Sequence, residues 1–204
     1  MRRIAIATLA LGLAACLPVL AQNVSLDPAQ SPSGTYGVNA GHTQVLFSIL
    51  HLGLTDYYGR FDKISGTLEY DGKRPEHSSV FIAVDTSSLD VPSARLTDQL
   101  KSAAVFDAQH FPAATFKSTS IVRTGPTTGR ISGLLTIRNV TRPVILDATF
   151  NGGEQGPIGG YSLGFRAAGT IRRSDFGLNR TIWTSFVGDD VHLIITAMFD
   201  RQKG

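Results

Sequence analysis

Cysteine is nearly absent from this chain. The single one, Cys16, falls within an apolar run at residues 4–20 that follows Arg2 and Arg3. A charged start, an apolar run and then Val19-Leu20-Ala21 read as a secretory signal peptide over residues 1–21, cleaved after Ala21. The run sits near the lower limit for a bilayer span, about 17 residues, and a cleavage-type sequence follows it directly, which favours export over a retained helix. A second reading takes Leu13-Ala14-Ala15-Cys16 as a lipobox, with the protein anchored through a lipidated Cys16. Both readings export the chain, and the first leaves a mature protein with no disulfide, no thiol nucleophile and no cysteine-based metal site.

Other absences narrow the chemistry further. There is no G-x-S-x-G elbow, no G-x-x-x-x-G-K-[ST] loop and no H-E-x-x-H helix. His42 and His51 are an odd number of residues apart, so a regular strand would aim them at opposite faces and they would not share a metal. His77 and His110 occupy polar turn settings, and His192 opposes Val191 and Leu193 in parity. The adjacent Asp189-Asp190 pair points apart on an extended chain and has no third oxygen ligand at EF-hand spacing, so it reads as a polar turn. Arg172-Arg173 diverge in the same way, one toward solvent and the other toward a barrel end or Asp175. No catalytic residue, metal or cofactor is therefore assigned. Removing Arg2 and Arg3 with the leader leaves 17 basic against 16 acidic residues, a net charge of +1, and no nucleic-acid partner is implied.

What the chain does have is alternation. Val45, Phe47 and Ile49; Val80, Ile82 and Val84; Ile131, Gly133, Leu135 and Ile137; Val144, Leu146, Ala148 and Phe150; Tyr161, Leu163, Phe165, Ala167 and Ile171; and Val191, Leu193, Ile195, Ala197 and Phe199 all recur at period two. They predict eight or nine strands. Turn chemistry is expected at Asp71-Gly72, Gly125-Pro126, Asn151-Gly152-Gly153 and Gly156-Pro157. Pro143 suits the first residue of a strand, since it has no N–H to give. Only residues 93–104 read as helical, with Ser93 as N-cap and Leu96 and Leu100 on one face. No βαβ rhythm and no repeat appears, so the sheet must bury its apolar face against itself, and closure into an antiparallel barrel also removes unpaired edges. The segment at residues 45–52 is apolar on both faces, Leu46, Leu50 and Leu52 forming the second; one reading packs one face on the barrel interior and the other under the helix, and the alternative has some of this surface line a ligand cavity. The domain organisation read from this is residues 1–21 as signal peptide, 22–34 as a linker and 35–204 as the barrel.

Several motifs occur in a fixed order. Tyr36-x-Val38 precedes His42-Thr43-x-Val45-x-Phe47-x-Ile49-x-His51-x-Gly53 and Gly59-Arg60-Phe61. Val84-Asp85-Thr86-Ser87-Ser88-Leu89-Asp90 leads into Leu100-Lys101-Ser102, Phe106-Asp107 and Phe111-Pro112-x-x-Thr115-Phe116-x-Ser118. Gly133-Leu134-Leu135-Thr136-Ile137-Arg138-Asn139-Val140-Thr141-Arg142-Pro143-Val144 follows, then Arg173-Ser174-Asp175-Phe176-Gly177 and Val187-Gly188-Asp189-Asp190-Val191. Together these resemble the YceI-like family from about Tyr36 to Phe199. Two departures stand out. Asn39-Ala40-Gly41 replaces an acidic residue before the histidine, and Asn139 replaces a common glycine, where a need for positive φ would disturb the turn.

The resemblance implies an extended eight-stranded, lipocalin-like antiparallel β-barrel with one short helix, exported to the periplasm, whose tunnel holds a polyisoprenoid of polyprenyl or quinone type. It carries no catalytic set. The expected tunnel wall is Phe47, Ile82, Phe116, Leu135, Leu163, Phe165, Leu193 and Ile195. Head-group contacts are expected among His42, Arg60, Arg142, Arg173 and Asp175, which sit at strand ends or turns. Transient membrane contact would go with loading such a lipid. The alternatives are a scavenger of hydrophobic toxins or antibiotics, which needs the same tunnel, and an enzyme on isoprenoid compounds, which the thin acid–base inventory disfavours.

Overall fold

The structure, a computed structural model, describes residues 24–156, 159–178 and 185–203. The expected signal peptide, Cys16 and Pro157 lie outside the described residues. The strands are β1 (Gly34–Val38), β2 (Gln44–His51), β3 (Thr55–Phe61), β4 (Ile64–Tyr70), β5 (Ser79–Asp85), β6 (Leu89–Asp90), β7 (Ala113–Arg123), β8 (Thr128–Ile137), β9 (Val140–Gln155), β10 (Tyr161–Arg172) and β11 (Val187–Arg201). One helix, α1 (Ala94–Lys101), joins them among the described residues.

All eleven strands form one sheet in the order β1-β4-β5-β7-β8-β9-β10-β11-β2-β3-β6, and β1 pairs again with β11. The path thus closes through eight antiparallel strands, while β2, β3 and β6 branch away. The length of β11 allows this fork. Its first part, through Thr196, pairs with β2, and Phe199, Asp200 and Arg201 pair with β1. The expectation of eight or nine strands therefore matches the closed circuit and includes β2 through Val45, Phe47 and Ile49, but it falls short of the eleven present and misses the two-residue β6.

Alternation decides which side chains face inward. Phe47 pairs with Gly59 and with Leu193, Phe116 with Leu135, and Phe165 with Phe150 and Ala197, so apolar residues meet across each ladder on one face. Glycine provides the room these rings need. A Cβ on Gly133 would collide with the Phe116 ring, and one on Gly59 with Phe47 and Val91. Asn151-Gly152-Gly153, expected as a turn, lies inside β9. The register slips there between Gly164 and Phe165, and Gly152 has φ 137°, so the glycines serve a bulge in a continuous strand. The β8–β9 connection is a two-residue turn, and its left-handed residue is Arg138 (φ 56°), which relieves Asn139 of the demand expected of it.

The lower end of the barrel is packed with Tyr36, Leu68, Tyr70, Phe150, Leu163 and Phe199. Residues 24–33, expected as part of a linker, lie against it. Ser25 bridges to Gly153, the Tyr36 hydroxyl donates to Pro32 O (2.6 Å), and the Tyr70 hydroxyl donates to Pro28 O (2.9 Å). Two buried tyrosines need acceptors, and the segment supplies them. Burial pushes both phenols above the ordinary tyrosine value.

The upper end is crossed by residues 89–112. Ser93 caps α1 by accepting from Leu96 N (3.4 Å), as expected, but the helix stops at Lys101 because Ser102 turns extended. Arg138 ties this crossing to the β8–β9 turn, donating to Val105 O (3.3 Å) with its guanidinium 5.4 Å from the Phe111 ring centre.

Candidate functional site

Between the two ends lies a cavity of about 630 Å³ lined by inward residues of the sheet and by Leu96, Gln99 and Leu100 of α1. That volume falls in the range of small-molecule sites, roughly 300–1,000 Å³. The lining is overwhelmingly aliphatic and aromatic. It runs from Pro28, Arg123 and Thr127 at the lower end to His51, Tyr57, Arg173 and Val187 at the upper mouth.

Seven of the eight expected wall residues line it, namely Phe47, Ile82, Phe116, Leu135, Phe165, Leu193 and Ile195. Leu163 does not. It has the right parity but sits one inward position below Phe165, fully buried beneath the cavity, where it pairs with Phe199. Parity assigns a face, and only three-dimensional packing tells a cavity wall from solid core.

The expected polar contacts divide differently. Arg173 lines the upper mouth, where it donates from Nε to Gly188 O (2.8 Å), from Nη2 to Val187 O (3.1 Å) and from Nη1 to Leu178 O (3.3 Å). It staples the 3₁₀ turn Arg173–Phe176 to the start of β11. Beside it Ser174 donates its hydroxyl (2.5 Å) and backbone N–H (3.0 Å) to Asp189, and these bonds, with the Arg173 charge, hold the Asp189 carboxyl below the usual value. Asp175 instead pairs with Arg172 on the outside (3.1 Å). His42 is exposed and bonded to Asn39 Oδ1 (3.0 Å), away from the cavity. Arg60 forms exposed ion pairs with Asp62 (2.9 Å) and Asp90 (3.0 Å), and exposed Arg142 donates to Thr141 O (3.0 Å). Arg60 and Arg142 sit on strands with their side chains turned to water, and His42 and Asp175 lie in 3₁₀ turns outside the barrel wall, so none of the four lines the cavity.

The helix also departs from expectation. It covers the cavity rather than the second face of β2, leaving Leu50 and Leu52 exposed there. Conversely His51 and Tyr57, not expected at the site, line its upper mouth. The signal for His51 was its parity, shared with Val45, Phe47 and Ile49; Tyr57 then follows because it pairs with Ile49 across the hairpin. Among the described residues no group of three or more His, Cys, Asp or Glu side chains could hold a metal ion, and no helix is long and apolar enough to cross a membrane.

This architecture is shared with known proteins. BcnA of Burkholderia cenocepacia superposes with a TM-score of 0.71 at 25% identity, covering 79% of this chain and 98% of that one. A polyisoprenoid-binding domain from Saccharophagus degradans superposes at 0.61 and 13% identity, over 82% of this chain and 98% of the domain, a likeness of fold. A UPF0312 protein of Ectopseudomonas mendocina is 33% identical over 188 residues, 91% of this chain and 97% of the relative. The YceI-like domain model matches residues 36–199, the whole closed circuit from inside β1 to inside β11, and the chain belongs to the YceI-like family.

Proposed function

We propose that the mature chain is a periplasmic carrier that sequesters a long polyisoprenoid lipid, of polyprenyl or quinone type, in its barrel cavity. The observation that carries this reading is the continuous apolar lining of a cavity of about 630 Å³ that reaches both ends of the barrel. A polyprenyl chain offers carbon and little else, and each methylene moved from water to such a lining contributes about 0.8 kcal/mol before ordering costs. The polyisoprenoid-binding domain of the same fold agrees with this choice of ligand class. Export rests on residues 1–21, and loading from a lipid source implies transient membrane contact.

Native mass spectrometry of protein purified from its own envelope, followed by solvent extraction, tests the reading. A co-purifying lipid with isoprene mass spacing is expected, and an empty protein that also refuses added isoprenoids would sink it. Leu193→Arg, which places an unpaired charge on the cavity wall, should abolish lipid retention while the barrel still folds. Recovered lipid should be chemically unchanged. Amino-terminal sequencing should find the mature start at Gln22, whereas a diacylated Cys16 would place the protein on a membrane.

A further inference from the structure

The polar side chains along the cavity fall into two groups. Thr43, Tyr70, Ser78 and Thr128 are held by protein partners: Met198, Pro28, Asp71 and Thr124 respectively. His51 and Tyr57 at the upper mouth, Gln99 on α1 and, alone at the lower end, Thr127 line the same space with side chains that make no hydrogen bond among the described residues. His51 and Tyr57 are diagonal neighbours on the inner face of the β2–β3 hairpin, since Ile49 pairs with Tyr57 and His51 with Thr55. Such positions lie about 7–8 Å apart, close enough for both side chains to reach one ligand group. Gln99 lines the same cavity from α1.

We propose that His51, Tyr57 and Gln99 form the head-group site, and that it takes an uncharged hydrogen-bond acceptor on an isoprenoid chain, a carbonyl or hydroxyl, in preference to a phosphate. The inference rests on the carrier reading and adds to it the end at which the head group sits and its chemical class. An imidazole N–H, a phenol O–H and a carboxamide NH₂ are all donors, and a carbonyl oxygen accepts two of them. A phosphate would need cationic partners to offset its desolvation. The two arginines on the lining are engaged otherwise. Arg173 donates to Leu178, Val187 and Gly188 carbonyls and lies beside the Asp189 carboxylate, and Arg123, at the far end, donates to Gly125 O (2.9 Å) and Pro126 O (3.0 Å).

The test uses delipidated mature protein and three probes of equal isoprene number: a benzoquinone, the bare hydrocarbon and the polyprenyl monophosphate. Wild type should hold the quinone about tenfold or more tightly than the hydrocarbon, and more tightly than the phosphate, as two net hydrogen bonds allow. The triple variant His51→Leu, Tyr57→Phe, Gln99→Leu should drop the quinone to the hydrocarbon's level and leave the hydrocarbon unchanged. Tyr57→Phe alone, which keeps the ring, should cost the quinone about threefold. Equal binding of quinone and hydrocarbon by wild type, preference for the phosphate, or parallel loss of both neutral probes in the variants would each overturn the head-group site. Failure of wild type to hold any of the three would overturn the carrier reading and this inference with it.

Discussion

The lower end of the barrel and its upper half are built by the same strands with the same alternation and line one cavity, yet their buried clusters differ in kind. At the lower end inward positions carry Tyr36, Tyr70, Phe150 and Phe199, whose rings contact one another or Phe165; Tyr70 stacks on Phe150 at 6.5 Å and Phe165 meets Phe199 edge-on at 5.9 Å. In the upper half the buried cluster is mostly aliphatic, with Ala114, Ile137, Val144, Leu146 and Ile171 around Phe116 and Phe176. Polar groups divide in the same way. The lower tyrosines end on Pro28 and Pro32 carbonyls, while His51 and Tyr57 face open space. The same alternation therefore builds an aromatic floor at one end and an aliphatic wall at the other, and the cavity lies between them.

The sharpest way to break this comparison is to truncate one inward leucine in each region. Leu163→Ala in the packed end should destabilise the fold by about 2–5 kcal/mol, as the surrounding rings cannot fill the hole. Leu193→Ala on the cavity wall should cost less than half as much, because no sealed void is created. Denaturant unfolding of both would show it, and equal losses would mean that the upper half is packed as tightly as the lower.

Tyr70→Phe should cost about 1 kcal/mol, since it strips Pro28 O of its donor and loosens residues 24–33. Hydrogen exchange in that segment should rise with it. Unchanged protection would show that packing alone holds the segment.

Acid should weaken the upper end. The Asp189 carboxyl lies below its ordinary value, chiefly through the Ser174 hydroxyl, so its contribution is present above the unfolded value near 4 and is lost as pH falls through the lower folded value. Between pH 6 and 3 the wild type should therefore lose more stability than Asp189→Asn. Parallel pH profiles would remove Asp189 from the account.

The smallest effect is expected at the tip of the β2–β3 hairpin. Leu54 is 79% exposed, and Leu54→Ser should shift stability by no more than about 0.5 kcal/mol in the thermal unfolding of free protein. A larger loss would reveal packing at the tip.

Much of the barrel was legible in the sequence because period-two alternation is local: it assigns an inward face strand by strand, and it picked out seven residues of the cavity wall, Phe47 through Ile195. Ser93 was equally legible as a helix cap, since a cap needs only its next three residues. Asn151-Gly152-Gly153 shows the limit of such reading, as glycine marks both turns and bulges and only the partner strand β10 selects the bulge. The head-group candidates show another. His42, Arg60, Arg142 and Asp175 were chosen by position along the chain, whereas reaching the cavity depends on parity and on which end of the barrel each strand meets.

By itself, then, the sequence determined the strand pattern, the inward faces, the family and the lack of recognisable catalytic motifs, because each is written in residue types at short spacing. The tertiary structure alone decided that Leu163 is core while Leu193 is wall, that α1 covers the cavity, and that His51, Tyr57 and Gln99 line one space. Those outcomes depend on how far opposite walls stand apart and on the space left between them, which no single strand encodes.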